Sequence, residues 1–346
     1  MPDAKYTIKH PLPRGLSAEA MPRTFGSALD EFVACQRSTA LFDYSFLLRL
    51  RVKGLQAAEA VSNLCRRDFS SMAVGTVRYA LYASSSGELI SDLTVWQIGP
   101  ETIDIMSGRA ADVREITAAL VTYDVNVFDL SDQTAALALQ GPATNACLQE
   151  LVDRGEVAEI PSFGFRELGI VGKHCLVGRL GFTGLDGVEI LCTPDDASRL
   201  WQLLAQMSRP AGFMAADMLR LTAGLPLFSQ EFAPPVTAAD VGLSRIWKPF
   251  ASTTEFREPQ VARVLFRARW ASDTTTALPD VLWTDGGAFP PPVNTVAVTS
   301  ICNNPTAADL IGMGYVSLKN KSNQLSDTAG LLSNIQLIKI FGEQPP

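Results

Sequence analysis

Gly181-Phe182-Thr183-Gly184-Leu185-Asp186-Gly187-Val188-Glu189-Ile190-Leu191 reads as a glycine-rich turn running straight into a strand. Glycines at 181, 184 and 187 allow the backbone angles of a tight connection. Val188–Leu191 is apolar enough to be buried, apart from Glu189 in its middle. Just upstream, Leu168–Val171 and Cys175–Leu180 read as two further short strands, and just downstream Asp195–Met207 reads as a helix.

The same mixture extends toward the N-terminus. A helix is expected from Ala28 to Ser38, where Leu29, Phe32, Val33 and Gln36 share a face. Leu47–Val52 alternates apolar and basic residues, as a half-buried strand does, and Leu55–Arg66 reads as a helix after the Lys53-Gly54 turn. Val74–Ala83 and Leu89–Ile98 read as the arms of a hairpin around Ser84-Ser85-Ser86-Gly87. Val125–Leu130 and Thr134–Gln140 are expected strands, the second ended by Gly141-Pro142, which starts a helix over Ala143–Leu151. Ala215–Ala223 is a further expected helix, and beyond about residue 250 short β runs and turns suggest a small β domain, a barrel or jelly roll. Strands and helices without regular βαβ alternation predict an α+β protein with mainly antiparallel sheets.

Composition removes whole classes of function. The 346 residues carry a net charge of −7, so gripping nucleic acid or anionic membrane is not expected. No apolar leader or membrane span is read, and the protein is expected to be cytoplasmic. The six cysteines form no C-x-x-C pair and are expected to be free, small apolar side chains; no metal site is expected. With only His10 and His174, histidine-based catalysis has little material, and His174 reads as a surface or edge residue. Neither a G-x-G-x-x-G after a strand nor a P-loop is present. Carboxylates and a bound carrier are left to supply the chemistry.

Several segments, in order, carry a resemblance. They are Leu41-Phe42-Asp43-Tyr44-Ser45, Gly87-Glu88-Leu89-Ile90-Ser91-Asp92-Leu93-Thr94-Val95, Ala138-Leu139-Gln140-Gly141-Pro142, and the Gly181–Glu189 stretch. Ala216–Leu221, Val241-Gly242-Leu243, Val298-Thr299-Ser300 and Ile311–Val316 follow. Together they resemble the aminomethyltransferase (T-protein) family of the glycine cleavage system, with its folate-domain and demethylase relatives. The resemblance implies a three-domain, cloverleaf-like body with tetrahydrofolate as co-substrate in a central channel. It implies a first, discontinuous folate-binding α+β domain over 1–51 and 136–250. An inserted domain over 52–135 carries Asp92, and a C-terminal β domain covers 251–346.

The resemblance also implies the site. Glu189 falls on the pterin-binding glutamate; a carboxylate there can accept two parallel hydrogen bonds from a 2-amino group and a ring N–H. Tyr79 falls on a channel tyrosine, with strand core as the alternative. Arg220 falls on a family arginine, with a structural ion pair to Asp217 or Glu231 weighed equally against a role toward folate. Phe182 and Phe228 are counted among the folate-contacting residues. Asp92 is the catalytic carboxylate. The T-protein pattern has two aspartates where this chain has Ser91-Asp92, and the Ser-Asp-Leu-Thr-Val form looks like the dimethylglycine and sarcosine branch. Further departures are Phe182 and Leu185 in the glycine stretch, Arg245 for an expected aromatic, and the segment Lys248–Glu255.

The expected function is therefore a tetrahydrofolate-dependent methyl or one-carbon transferase, demethylase-like, with a small N-, O- or S-methylated donor. Two alternatives stay open: a non-catalytic folate-binding protein, and a one-carbon-capturing subunit of an amine-oxidising complex with a flavoprotein or carrier-protein partner. No flavin site is read within this chain.

Overall fold

The computed structural model describes residues 21–247, 258–271, 289–319, 325–328 and 331–341. The Lys248–Glu255 segment, the expected boundary at 250/251 and His10 lie outside the described residues. Strands run in chain order as β1 (Ala40–Asp43), β2 (Leu48–Lys53), β3 (Val77–Ala83), β4 (Leu89–Gly99), β5 (Thr102–Ser107), β6 (Asn126–Asp129), β7 (Ala135–Gln140), β8 (Phe165–Ile170), β9 (Lys173–Gly178), β10 (Gly187–Cys192) and β11 (Arg209–Pro210). After them come β12 (Val261–Trp270), β13 (Thr295–Asn303), β14 (Leu310–Ser317), β15 (Ser326–Asp327) and β16 (Leu332–Ile340). The helices are α1 (Ala28–Arg37), α2 (Ala57–Cys65), α3 (Asp112–Leu120), α4 (Thr144–Gln149), α5 (Pro194–Met207), α6 (Phe213–Ala223), α7 (Phe228–Glu231) and α8 (Ala238–Val241).

Three sheets form an α+β architecture with mainly antiparallel pairing. The first has the order β11-β1-β7-β10-β9-β8, and only its β1–β11 pair is parallel. The second has the order β3-β4-β5-β2-β6, and the third β15-β13-β14-β12-β16. By contacts the chain divides into two compact units, one of 1–80 with 92–219 and one of 81–91 with 220–346.

Local chemistry explains the elements of the first unit. Thr193 caps α5 by accepting from the Asp196 N–H at 3.3 Å, Pro194 opens the helix, and Asp195 and Asp196 oppose its positive end. Ala197, Leu200, Trp201 and Leu204 then fall on one stripe and close the core against Leu137, Leu139, Val188 and Ile190 of the first sheet. The apolar–basic alternation of β2 has its partner in Asp104 of β5. Arg49 donates to Asp104 Oδ2 at 2.6 and 2.8 Å, and Arg51 to Oδ1 at 2.7 Å. The cross-strand carboxylate is buried, so these are charge-assisted bonds inside the sheet rather than surface pairs.

Six elements lie where the sequence reading assigned none: β1, β5, β11, α3, α7 and α8. All four residues of β1 are buried, so both of its faces are covered, and no polar alternation marks it. The cysteines are buried and unbridged, and His174 is exposed on β9, 3.3 Å from Glu167. Among the described residues no helix is long and apolar enough to cross a membrane, and no cluster of His, Cys, Asp and Glu could hold a metal.

Candidate functional site

Glu189 sits mid-strand in β10, paired on one edge with Ala138 of β7 and on the other with Gly178 of β9. Its neighbours Val188 and Ile190 point into the α5 core, so Glu189 points to the sheet's other face. The residue is only 7% exposed, and its carboxylate accepts no hydrogen bond from any described residue. Burial alone pushes the Glu189 carboxyl up to about 7. A carboxylate held this way costs stability until donors arrive.

Gln140 holds the glycine-rich turn that leads into Glu189. Its Nε2 donates to the carbonyls of Leu180 (3.1 Å) and Val188 (3.3 Å), and its Oε1 accepts from Thr183 Oγ1 at 2.9 Å. A Cβ at Gly187 would meet Gln140 Nε2 at 2.5 Å, so a larger residue there would push against the buried Gln140 amide. Gly141 N–H donates to Asp186 O at 2.7 Å, while Arg179 grips the Asp186 carboxylate at 2.7 and 2.9 Å. The Gln140-Gly141 and Gly181–Glu189 motifs are thus one physical unit. Phe182 is half-buried on this turn.

Tyr44, just past β1, lies on the Glu189 side of the same sheet. Its N–H donates to Ala136 O at 2.8 Å, and its ring packs 5.8 Å from Phe42 and 5.9 Å from Phe46. The phenol oxygen is buried without a hydrogen-bond partner among the described residues. Burial raises its pKa, and the nearby Glu189 charge raises it further.

Asp92 comes from β4 of the second sheet. Tyr79 of β3 donates its hydroxyl to Asp92 Oδ2 at 3.0 Å. Burial pushes the Asp92 carboxyl up to about 6; the Tyr79 bond opposes this, and the Asp112 charge adds slightly to it. Asp92, Thr94 and Trp96 alternate onto one face of β4, and Trp96 Nε1 donates to Thr94 Oγ1 at 2.9 Å. The Trp96 ring lies 5.3 Å from Phe165 and covers Gly178, leaving no room there for a Cβ. Since Gly178 is the cross-strand neighbour of Glu189, the face of β4 bearing Asp92 is turned toward the sheet face bearing Glu189. Tyr79 and Asp92 are thus joined across β3 and β4, Tyr44 and Glu189 share a face of the first sheet, and Trp96 reaches that face at Gly178.

Arg220 and Phe228 belong to the second unit. Arg220 is fully buried; it donates through Nη1 to Glu231 Oε2 at 2.7 Å and through Nη2 to Ser300 Oγ at 2.7 Å. The ion pair with Glu231, one of the roles weighed for it, is present in this structure. Phe228 is half-buried at the start of α7. The sequence reading assigned no role to Gln140, Trp96 or Tyr44, although Gln140 and Tyr44 stand inside the quoted motifs.

The GCVT N-terminal domain family matches residues 13–249. An aminomethyltransferase of Thermotoga petrophila is 33% identical over 237 residues, and one of Thermotoga maritima 34% over 237, each covering 66% of this chain and 65% of the relative. The match thus spans just under two thirds of the length of these curated relatives. Among solved structures, the glycine cleavage system aminomethyltransferase T from Bartonella henselae superposes with a TM-score of 0.74 at 25% identity, covering 88% of this chain and 86% of that one. Matched over 237 of its residues in the order its motifs require, the chain belongs to the GCVT N-terminal domain family.

Proposed function

We propose that the protein is a tetrahydrofolate-dependent transferase that moves a one-carbon group from a small N-, O- or S-methylated donor onto tetrahydrofolate. The observation that carries this reading is Glu189, a buried carboxylate without a donor among the described residues, on the sheet face that Trp96 of the Asp92 strand covers at Gly178. A flat heterocycle with adjacent N–H and NH2 groups supplies two donors to that carboxylate and repairs its desolvation. Tyr79 and Phe182 offer ring surface to the same ligand, and Phe228 joins them in this reading.

Asp92 is the group for chemistry. A carboxyl near pH 6 can take the proton released as the folate nitrogen gains its one-carbon substituent, or hold a cationic amine donor beside it. The Tyr79 hydroxyl fixes the oxygen that does this work, and most of the remaining acceleration comes from holding donor and acceptor together. In this reading the segment 52–135 delivers Asp92, while 1–51 with 136–250 delivers Glu189. Arg220 acts by positioning α7 through Glu231. The likeness of Ser91-Asp92 to the amine-oxidising branch adds a flavoprotein or carrier-protein partner, which co-purification would test.

Calorimetric titration with 5-formyltetrahydrofolate tests the proposal. Micromolar binding that Glu189→Ala weakens at least about tenfold, or about 1.4 kcal/mol, is expected. Absence of binding by the wild type, or binding indifferent to Glu189→Ala, overturns it. Folate binding without turnover across amine, aryl-ether and sulfonium donors favours the non-catalytic folate binder instead.

A further inference from the structure

The third sheet carries an open surface cavity of about 580 Å3, separate from the residues discussed so far, on which Arg267, Arg269, Asn334 and Gln336 are exposed and Asp309 is half-buried. Its polar lining is Arg267, Arg269, Asp309, Asn334 and Gln336. Arg267 and Arg269 flank the buried Ala268 along β12, so both side chains leave the same face of the strand. Neither guanidinium makes an ion pair or hydrogen bond with any described residue, and the Asn334 and Gln336 side chains are likewise without partners among them. Arg263, on the same strand, shows the contrast. It is buried and donates to Val241 O at 3.0 Å and Gly224 O at 2.8 Å.

The backbone is irregular at this place. The β12–β16 register shifts between Leu265 and Phe266 and again between Arg267 and Arg269, and Asn334 takes a left-handed φ of 50°. Bulges of this kind re-aim side chains out of the regular ladder. Asp309 is half-buried at the start of β14, and its Oδ1 accepts from Asn304 Nδ2 at 2.7 Å. The register Ala268↔Leu310 brings it beside Arg269, yet no ion pair forms between them. The described lining therefore carries two guanidiniums without a partner among the described residues and one carboxylate, a net charge of +1.

We propose that this cavity binds a small amino dicarboxylate. Each guanidinium takes one carboxylate of the ligand in the two-pronged geometry arginine favours, and Asp309 takes the ammonium. Two negative charges and one positive charge on the ligand then match two positive and one negative in the cavity. A simple inorganic anion, or a dicarboxylate lacking the ammonium, would leave Asp309 facing a like charge.

Calorimetry on the full chain with L-glutamate, glutarate and inorganic phosphate as probes tests this. L-Glutamate is expected to bind more tightly than either comparison. Arg267→Gln and Arg269→Gln should each weaken it at least about tenfold. Asp309→Asn should weaken L-glutamate while leaving glutarate unchanged or improved, with thermal melts of all three variants matching the wild type. No L-glutamate binding up to about 10 mM, binding that survives both arginine variants, or tighter binding of glutarate or phosphate overturns the proposal. An equal effect of Asp309→Asn on glutamate and glutarate overturns it too.

Discussion

Two buried glutamates, Glu189 and Glu231, have opposite surroundings. Glu231 is 0% exposed and receives Arg220, the Leu227 N–H and Thr299 at 2.7 Å each, together with Ser300. Glu189 is 7% exposed and receives nothing from the described residues. A carboxylate whose desolvation is met by the protein holds the fold together. One whose desolvation is left unmet is, on the proposed reading, the group that a ligand's donors would satisfy. Burial alone does not separate the two; the donor inventory around each oxygen does.

The largest test of that contrast is stability. Arg220→Ala leaves Glu231 buried with its cationic partner gone, and a loss of about 3–5 kcal/mol in urea unfolding is expected. A loss under about 1 kcal/mol would mean that the network is not structural. Next in size is chemistry. Asp92→Asn should keep folate affinity and reduce turnover at least about 100-fold, read with saturating folate and the best donor found. Retained turnover would remove Asp92 from the mechanism.

A subtler contrast comes from pH. Glu189 titrates at about 7 when folded against 4.5 as a free side chain, so the folded chain binds this proton more tightly than the unfolded one. The stability it contributes is complete below about 4.5 and is lost as pH rises through 7. Asp92 behaves alike between 3.8 and about 6. Glu189→Gln should therefore flatten the decline in melting temperature over this window. Folate affinity should run the other way, strengthening with pH in the wild type, because the ionised form accepts both hydrogen bonds, and staying flat in Glu189→Gln. A wild-type affinity independent of pH would break the assignment.

The smallest expected effect is that of Tyr79→Phe. Loss of the 3.0 Å bond removes a donor that favours the ionised Asp92. The acid limb of the rate profile should move upward, with turnover falling less than about tenfold. An unmoved limb would mean that Tyr79 only packs.

Much of the fold was legible because its signals are local. The periodicity of α5 and its Thr193-Pro194 start, the alternation of β2, and the hairpin of β3 and β4 all lie within a few residues. β1 escaped because both of its faces are buried and no polar residue alternates. The site was legible only as motifs: Glu189 and Asp92 stood out through resemblance, while the Gln140 clasp on the glycine turn spans 40 to 48 residues and has no local sign.

Local patterns in the chain were enough to place most of the longer helices and strands up to α6, to predict mainly antiparallel sheets, and to single out Glu189 and Asp92. The folded chain alone reveals that β7 lies between β1 and β10, that Trp96 settles on Gly178 beside Glu189, and that Arg220 pairs with Glu231. The physical reason is range. Capping, turns and periodicity act between residues a few positions apart, whereas desolvation and hydrogen-bond satisfaction depend on atoms within about 3 Å that chain order does not place. Whether a buried charge is paired is therefore settled only when the sheets close on one another.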